Sequence, residues 1–87
     1  MNKSIGSLGT LFDDPATVLL YRLYPGRPPH YLTRLNSSYL NLIWMYQRYG
    51  PGRYLVRVIH YGRVFRRTSR IMGARIITTQ RWTVRLG

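Results

Sequence analysis

The side chains with the clearest chemistry in this chain are its guanidinium groups. Lys3 is the one lysine among 14 cationic residues, so the others are arginines, and Asp13 and Asp14 are the two acidic residues. A guanidinium is a planar fork that binds phosphate or carboxylate oxygens in pairs and stacks on nucleic-acid bases. With a formal net charge of +12, the chain needs anions from outside itself. We expect nucleic-acid phosphates first and acidic groups of a partner protein second.

The arginines are densest around Tyr61-Gly62, where they alternate with β-branched and aromatic residues. This pattern predicts two antiparallel strands joined by a two-residue turn, because glycine accepts the positive φ that such a turn requires. The predicted register places Arg57 opposite Arg66 and Arg53 opposite Arg70. Like charges at directly opposed positions repel each other and weaken a sheet. These pairs therefore favour an external anion.

The same register defines the two faces of the predicted hairpin, one mostly apolar near the turn and one carrying the arginine pairs. The other predicted pairs are His60 with Arg63, Val58 with Phe65, Val56 with Arg67 and Tyr54 with Ser69 on the first face, and Ile59 with Val64 and Leu55 with Thr68 on the second. The residues predicted to bind nucleic acid or an acidic partner are Arg53, Arg57, Arg63, Arg66, Arg67, Arg70, Arg75, Arg81 and Arg85. Those nearest the turn are expected to make the phosphate contacts: Arg63, Arg66 and Arg67.

Catalytic and metal-binding residues are not predicted. Asp13 and Asp14 are adjacent and near the N-terminus, so they cannot flank a substrate as a carboxylate pair. His30 and His60 are distant in the sequence, and the chain has no cysteine, so neither a catalytic triad nor a metal cluster can be assembled. We therefore expect no enzymatic activity, no metal and no cofactor.

The composition indicates a folded domain and not a disordered basic tail, because 45% of the residues are hydrophobic and 14% are aromatic. The length of 87 residues fits one domain, which we place at residues 15–87 behind an extended N-terminal arm at residues 1–14. No apolar run approaches the ~20 residues of a membrane span. The N-terminus also lacks the apolar core of a secretory signal, so we expect a virion or intracellular location.

Two strands are predicted in the N-terminal half. Residues 17–24 are rich in β-branched and aromatic residues and stop at Pro25-Gly26, which favours a strand. The alternative is a helix, because Asp14-Pro15 has the form of an N-cap followed by a proline at the first helical position. Residues 31–35 predict a short second strand.

Residues 38–49 predict a helix. The cluster Asn36-Ser37-Ser38 precedes it, apolar residues recur at helical spacing, and Gly50-Pro51 follows it. Its apolar residues occupy nearly all sides, which predicts burial against a partner as well as against the sheet. The predicted protein-interface residues are Leu40, Trp44 and Met45 of this helix, with Leu11 and Phe12 of the arm.

Residues 75–86 alternate in character, with arginines and threonines on one side and mainly apolar residues on the other. They predict a third strand of the C-terminal half, again cationic on one side. The expected fold class is α+β: a small antiparallel sheet of three to five strands with one helix packed on it and the extended arm.

The junction of the predicted helix and hairpin carries a set of turn and strand residues, namely Tyr49, Gly50, Gly52, Tyr54, Val56, Arg57, Val58, Gly62 and Arg63. They form two features in succession. The first is a Tyr-Gly-x-Gly-x-Tyr corner that follows the helix, with Pro51 where a third glycine often stands. The second is a hairpin that ends in Gly-Arg. In this order of elements, about half of the chain resembles small structural modules of phage and mobile-element proteins. The resemblance implies a structural module of viral origin without a defined activity.

These observations favour a non-enzymatic, basic structural component of a nucleoprotein assembly, most of all a virion or phage protein. Its partners would be nucleic acid, acidic protein neighbours or both, in several copies or in a hetero-assembly. The alternative is a ribosomal or other RNA-binding protein. The eight tyrosines and two tryptophans can stack on unpaired bases, although tyrosine equally fills half-buried sheet surfaces.

Overall fold

A computed structural model of the chain describes residues 7–10, 12–72, 75–78 and 83–86. They form eight strands and one helix in this order: β1 Ser7–Thr10, β2 Ala16–Leu23, β3 His30–Ser37, β4 Tyr39–Asn41, α1 Leu42–Tyr49, β5 Gly52–His60, β6 Arg63–Met72, β7 Arg75–Thr78 and β8 Thr83–Leu86. All pairings are antiparallel. The predicted α+β class, with one helix and an antiparallel sheet, is confirmed.

The main sheet has the strand order β3-β2-β5-β6, and β7 and β8 both pair with β6 on its other side. Its six strands exceed the expected three to five by one, because the C-terminal segment supplies two short strands where a single one was predicted. A separate two-stranded sheet joins β1 to β4, so the described part of the N-terminal arm is extended and pairs with this chain's own backbone.

The hairpin of β5 and β6 has the predicted register at every position, from His60 opposite Arg63 to Arg53 opposite Arg70. Tyr61 and Gly62 form the turn with φ of 50° and 76°. Positive φ at both central residues is the conformation whose twist matches that of the two strands. The local pattern therefore sufficed to predict the hairpin.

The strand predicted over residues 17–24 is confirmed as β2, and the helix that Asp14-Pro15 allowed is not formed. Alternate residues of β2 are buried, beginning with Ala16, Val18 and Leu20. The short second strand is confirmed and extends further than predicted, over His30–Ser37. A register shift between Leu20 and Tyr21 interrupts the β2–β3 pairing, as a β-bulge does.

The helix begins at Leu42 and not at residue 38, and the predicted N-cap cluster is wrong. Asn41 is the cap, since its side-chain oxygen accepts hydrogen bonds from the N–H groups of Ile43 (2.9 Å) and Trp44 (3.2 Å). The residues before it form β4 instead, because they pair with β1, a distant partner that helical spacing does not reveal. The predicted end is confirmed: Gly50 has φ of 87° and donates its N–H to the Tyr46 carbonyl.

The C-terminal strand predicted over residues 75–86 is instead two strands that lie along β6. Arg75 is paired with Met72 and Thr78 with Ser69 in β7, whereas Thr83 is paired with Arg66 in β8. Residues 79–82 lie outside the described part. The two strands differ in register by two residues, so a single continuous ladder was not possible.

The core lies on one side of the main sheet. Apolar side chains of β2, β5 and β6 pack there with Leu40 of β4 and Met45 of α1, and the buried members are Ala16, Val18, Leu20, Leu40, Met45, Tyr54, Val56, Val58 and Ile71. The assignment of Leu40 and Met45 to a protein interface is therefore wrong, because their side chains are 2% and 0% exposed within the chain's own core.

The other predicted interface residues have different surroundings. Phe12 is partly buried, and its ring stacks on His60 with 3.7 Å between centroids. Trp44 is 36% exposed, and Leu11 lies outside the described residues. Because Ile43 is also exposed, the helix buries one side against the sheet and keeps an apolar strip at the surface.

Candidate polyanion-binding face of the sheet

The two faces of the main sheet differ in what covers them. The helix, Leu40 and Phe12 all pack on the core side. The residues of the opposite side do not belong to that core cluster, and we call this side the open face. By register and alternate burial its residues are Thr17, Leu19, Tyr21 and Leu23 of β2, Tyr31, Arg34 and Asn36 of β3, Arg53, Leu55, Arg57 and Ile59 of β5, and Val64, Arg66, Thr68, Arg70 and Met72 of β6.

The pairing of the strands arranges the open face in rows that cross the sheet. One row carries Arg34, Leu19, Arg57 and Arg66, and another carries Leu23, Arg53 and Arg70. The row between them holds Tyr31, Tyr21, Leu55 and Thr68. Since each residue advances a strand by about 3.3 Å, the two arginine rows lie roughly 13 Å apart with an uncharged row between them.

The arginines at the centre of the open face lie along the sheet. The Nε atoms of Arg57 and Arg66 are inaccessible to water and have no hydrogen-bond partner within the described residues. Arg57 reaches Tyr21 through Nη1, which donates to the hydroxyl oxygen at 3.5 Å. Arg53 and Arg70 are exposed. Those Nε atoms are closed to solvent, so an external anion can reach only the accessible parts of this surface, which include the exposed Arg53 and Arg70.

The chain's own carboxylates are not placed to neutralise these arginines. Asp14 is bonded at the hairpin turn, where it accepts from the Tyr61 hydroxyl and contacts His60 Nε2 at 2.9 Å. The hydrogen bond from Tyr61, followed by that from His60, lowers the pKa of Asp14 below 3.8. The same bond raises the pKa of Tyr61 above 10. The open face carries no acidic residue.

The predicted arginines do not form one surface. Arg53, Arg57, Arg66 and Arg70 meet on the open face, as predicted from the register. Arg63 and Arg67 lie on the core side, opposite His60 and Val56. Burial lowers the pKa of Arg67.

Arg66 and Arg67, predicted together as phosphate contacts, point to opposite faces because they are neighbours on one strand. Arg75 and Arg85 are backbone-paired with Met72 and Val64. Arg81 lies outside the described part of the chain.

The members of the open face that were not predicted from the sequence include Tyr21, Tyr31 and Arg34. They come from β2 and β3, and they join the arginines because β2 pairs with β5 and β3 with β2. Their alternation with buried residues was visible in the sequence, but the strand order that places them beside Arg57 was not.

Another arginine that the sequence did not single out, Arg22, is held inside the fold. Its Nη1 donates to the Tyr49 carbonyl at 2.9 Å and to the Tyr54 hydroxyl at 3.2 Å, and its Nη2 donates to the Pro51 carbonyl. The guanidinium carbon also lies 5.5 Å from the ring centre of Tyr24 and 5.0 Å from that of Tyr54. Arg22 therefore ties β2 to the segment between α1 and β5.

The geometry of this segment, which we call the corner (residues 49–54), explains the Tyr-Gly-x-Gly-x-Tyr pattern. Gly50 adopts a positive φ at the end of the helix, and its carbonyl accepts the Tyr54 hydroxyl. Gly52 has φ of 150°, and a Cβ atom there would lie 2.6 Å from Arg22 Nε. Burial raises the pKa of Tyr54, an effect that the charge of Arg22 opposes. Each residue of the pattern thus has a structural reason within this chain.

No protein-family model, curated protein or solved structure matches this chain. Within the described residues, no group of three or more His, Cys, Asp or Glu side chains is placed to hold a metal ion. No described helix is long and apolar enough to cross a membrane.

Proposed function

We propose that this chain is a non-enzymatic structural component of a nucleoprotein assembly and binds nucleic acid through the open face. The observation that carries the proposal is the direct opposition of Arg57 to Arg66 and of Arg53 to Arg70 on a sheet surface that has no acidic residue. The resemblance of the helix, corner and hairpin to phage and mobile-element modules favours a virion as the assembly.

Electrostatics favour a polyanion over an isolated anion at this site. Repulsion within each opposed arginine pair weakens the sheet, and a chain of phosphates reduces this repulsion in both pairs at once. Binding also releases the counterions condensed on the nucleic acid, so affinity depends on salt and largely not on sequence. The strands fix the backbone of all four arginines, so binding of phosphates needs to order only their side chains.

The proposal is tested by measuring the affinity of the full chain for single-stranded DNA, duplex DNA and RNA across a salt series. We expect log K to fall linearly with log salt concentration, without sequence preference. The double variant Arg57→Gln/Arg66→Gln should flatten the slope by about 0.7 to 0.9 for each lost phosphate contact.

The matched control is Arg27→Gln/Arg48→Gln, which removes the same charge from exposed positions in the β2–β3 turn and on α1. If both double variants change the slope equally, binding is spread over the whole cationic surface and the open face is not the site. Binding to an acidic polypeptide but to no nucleic acid would replace the proposal with a contact to an acidic protein neighbour.

A further inference from the structure

Resting on the proposed function, we propose that the open face is a platform for single-stranded nucleic acid, on which an unpaired base stacks on Tyr31 while flanking phosphates contact the arginine rows. The uncharged row that contains Tyr31 and Tyr21 runs between those rows. This row would meet bases, and the rows on either side would meet the backbone.

Tyr31 is placed to receive a base. Its side chain is 52% exposed on β3, which is an edge strand of the sheet. The neighbouring ring of Tyr21 lies 5.8 Å away between centroids, with 65° between the ring planes, so Tyr31 is supported from one side. Tyr21 is in turn contacted by Arg57, whose guanidinium carbon is 5.9 Å from the ring centre. An aromatic ring held in this way can stack on any base.

The apolar part of the open face indicates a single strand and not a duplex. Leu19, Ile59 and Val64 lie among the arginines and are at least partly accessible, whereas Leu55 is buried, with 6% of it exposed. The bases of a duplex are already stacked on one another, so the face of a sheet would meet sugars and phosphates, which do not match apolar side chains. Unpaired bases have exposed apolar faces that cover such residues and stack on aromatic rings.

Charge excludes a second copy of the chain as the occupant. Two open faces in contact would bring together at least ten arginines, five from each copy, namely Arg34, Arg53, Arg57, Arg66 and Arg70, with no acidic residue between them. Such a contact is repulsive, whereas a strand of phosphates and bases matches both the charged and the apolar rows.

The test compares three labelled ligands: single-stranded DNA, the same sequence as a duplex, and an abasic deoxyribose-phosphate chain. Each is about 16 nucleotides long, the upper end of the site sizes of single OB folds on single strands. A single-stranded RNA of the same sequence shows whether the face prefers unpaired bases of DNA or of RNA. We expect the base-containing single strands to bind more tightly than either the duplex or the abasic chain. Tyr31→Leu should weaken binding of these single strands by about 5- to 150-fold, without changing the salt slope or the affinity for the abasic chain.

Two further variants control for effects on folding. Tyr31→Phe keeps the ring and should retain the affinity. Tyr39→Leu removes a tyrosine of similar exposure, 54%, from β4 in the separate small sheet, and it should leave binding unchanged.

Equal affinity for the single strand and the abasic chain, or tighter binding of the duplex, would overturn the single-strand inference while leaving the proposed function in place. An equal loss of affinity in Tyr31→Leu and Tyr39→Leu would also overturn it. Absence of binding to every nucleic acid would overturn the proposed function itself.

Discussion

The corner and the open face both contain arginines, but the guanidinium groups differ in how many hydrogen bonds they make within the chain. At the corner, Arg22 donates to two carbonyls and a hydroxyl and lies against two tyrosine rings. On the open face, Arg57 has one long contact to Tyr21, and the Nε atoms of Arg57 and Arg66 have no partner within the described residues. The Arg22 guanidinium is bonded within the chain and holds the fold together, whereas Arg53 and Arg70 of the open face are exposed and accessible to a ligand.

The largest effect on stability is expected from Arg22→Met. The Tyr49 and Pro51 carbonyls and the Tyr54 hydroxyl would lose their charged donor, and each hydrogen bond to a charged group contributes about 1.5–3 kcal/mol. We expect the free energy of unfolding in urea to fall by about 3 kcal/mol. Arg27→Met, in the exposed β2–β3 turn, is the control and should change it by less than about 0.5 kcal/mol. An equal effect of the two changes would show that the corner does not depend on Arg22.

Gly52→Ala tests the close approach within the corner. Its Cβ would meet the Arg22 guanidinium at 2.6 Å, and the φ of 150° is unfavourable for alanine. We expect a loss of about 1–3 kcal/mol of unfolding free energy. In the Arg22→Met background the steric part of the loss should disappear, so the two changes should be non-additive in a double-mutant cycle. Simple additivity would mean that backbone strain alone accounts for the loss.

Arg66→Glu is expected to change the stability of the chain and its binding of nucleic acid in opposite directions. The glutamate would lie opposite Arg57 and replace a repulsive pair with an attractive one, which raises stability by about 0.5 kcal/mol at low salt. The same change should weaken nucleic-acid binding more than Arg66→Gln does. Thermal unfolding and a salt-series titration measure the two effects. A destabilised Arg66→Glu variant would show that Arg57 and Arg66 do not repel each other in the free protein.

The smallest effect is expected at the hairpin turn, from Asp14→Asn. Because the pKa of Asp14 is lowered in the folded chain, its contribution to stability is fully present above its ordinary pKa and is lost as the pH falls through the folded value. The wild type should therefore be more stable than Asp14→Asn near neutral pH, and the difference should shrink below pH 3.8. Thermal unfolding at a series of pH values measures this difference, and Asp13→Asn, which removes the same charge from the neighbouring exposed residue, is the control.

The structure shows which parts of this fold a sequence can predict. The β5–β6 register was predictable because a two-residue turn and alternating residues determine it locally. The start of α1 was not, because Tyr39–Asn41 have helical spacing but pair with β1. The division of the C-terminal strand follows from its register against β6, which the alternation of residues 75–86 does not reveal.

The candidate site was predictable only in part, for the same reason. The opposed arginines of β5 and β6 follow from the hairpin, whereas Tyr31 and Arg34 reach the open face through the pairing of β3 with β2 and of β2 with β5. Arg22 was missed because its partners lie 27 to 32 residues away. No local pattern distinguishes an arginine that will be bonded inside the chain from one that will lie on an uncovered surface.

The tight turn at Tyr61-Gly62 also affects how the chain folds. Hairpins closed by two-residue turns form within microseconds, and contacts between residues close in sequence precede distant ones. In this chain such early contacts would bring the guanidinium groups of Arg53, Arg57, Arg66 and Arg70 together before the remaining strands have docked. Mobile ions, or a phosphate chain already present, reduce the barrier by screening that repulsion. The ligand proposed for the finished sheet would therefore also accelerate its formation.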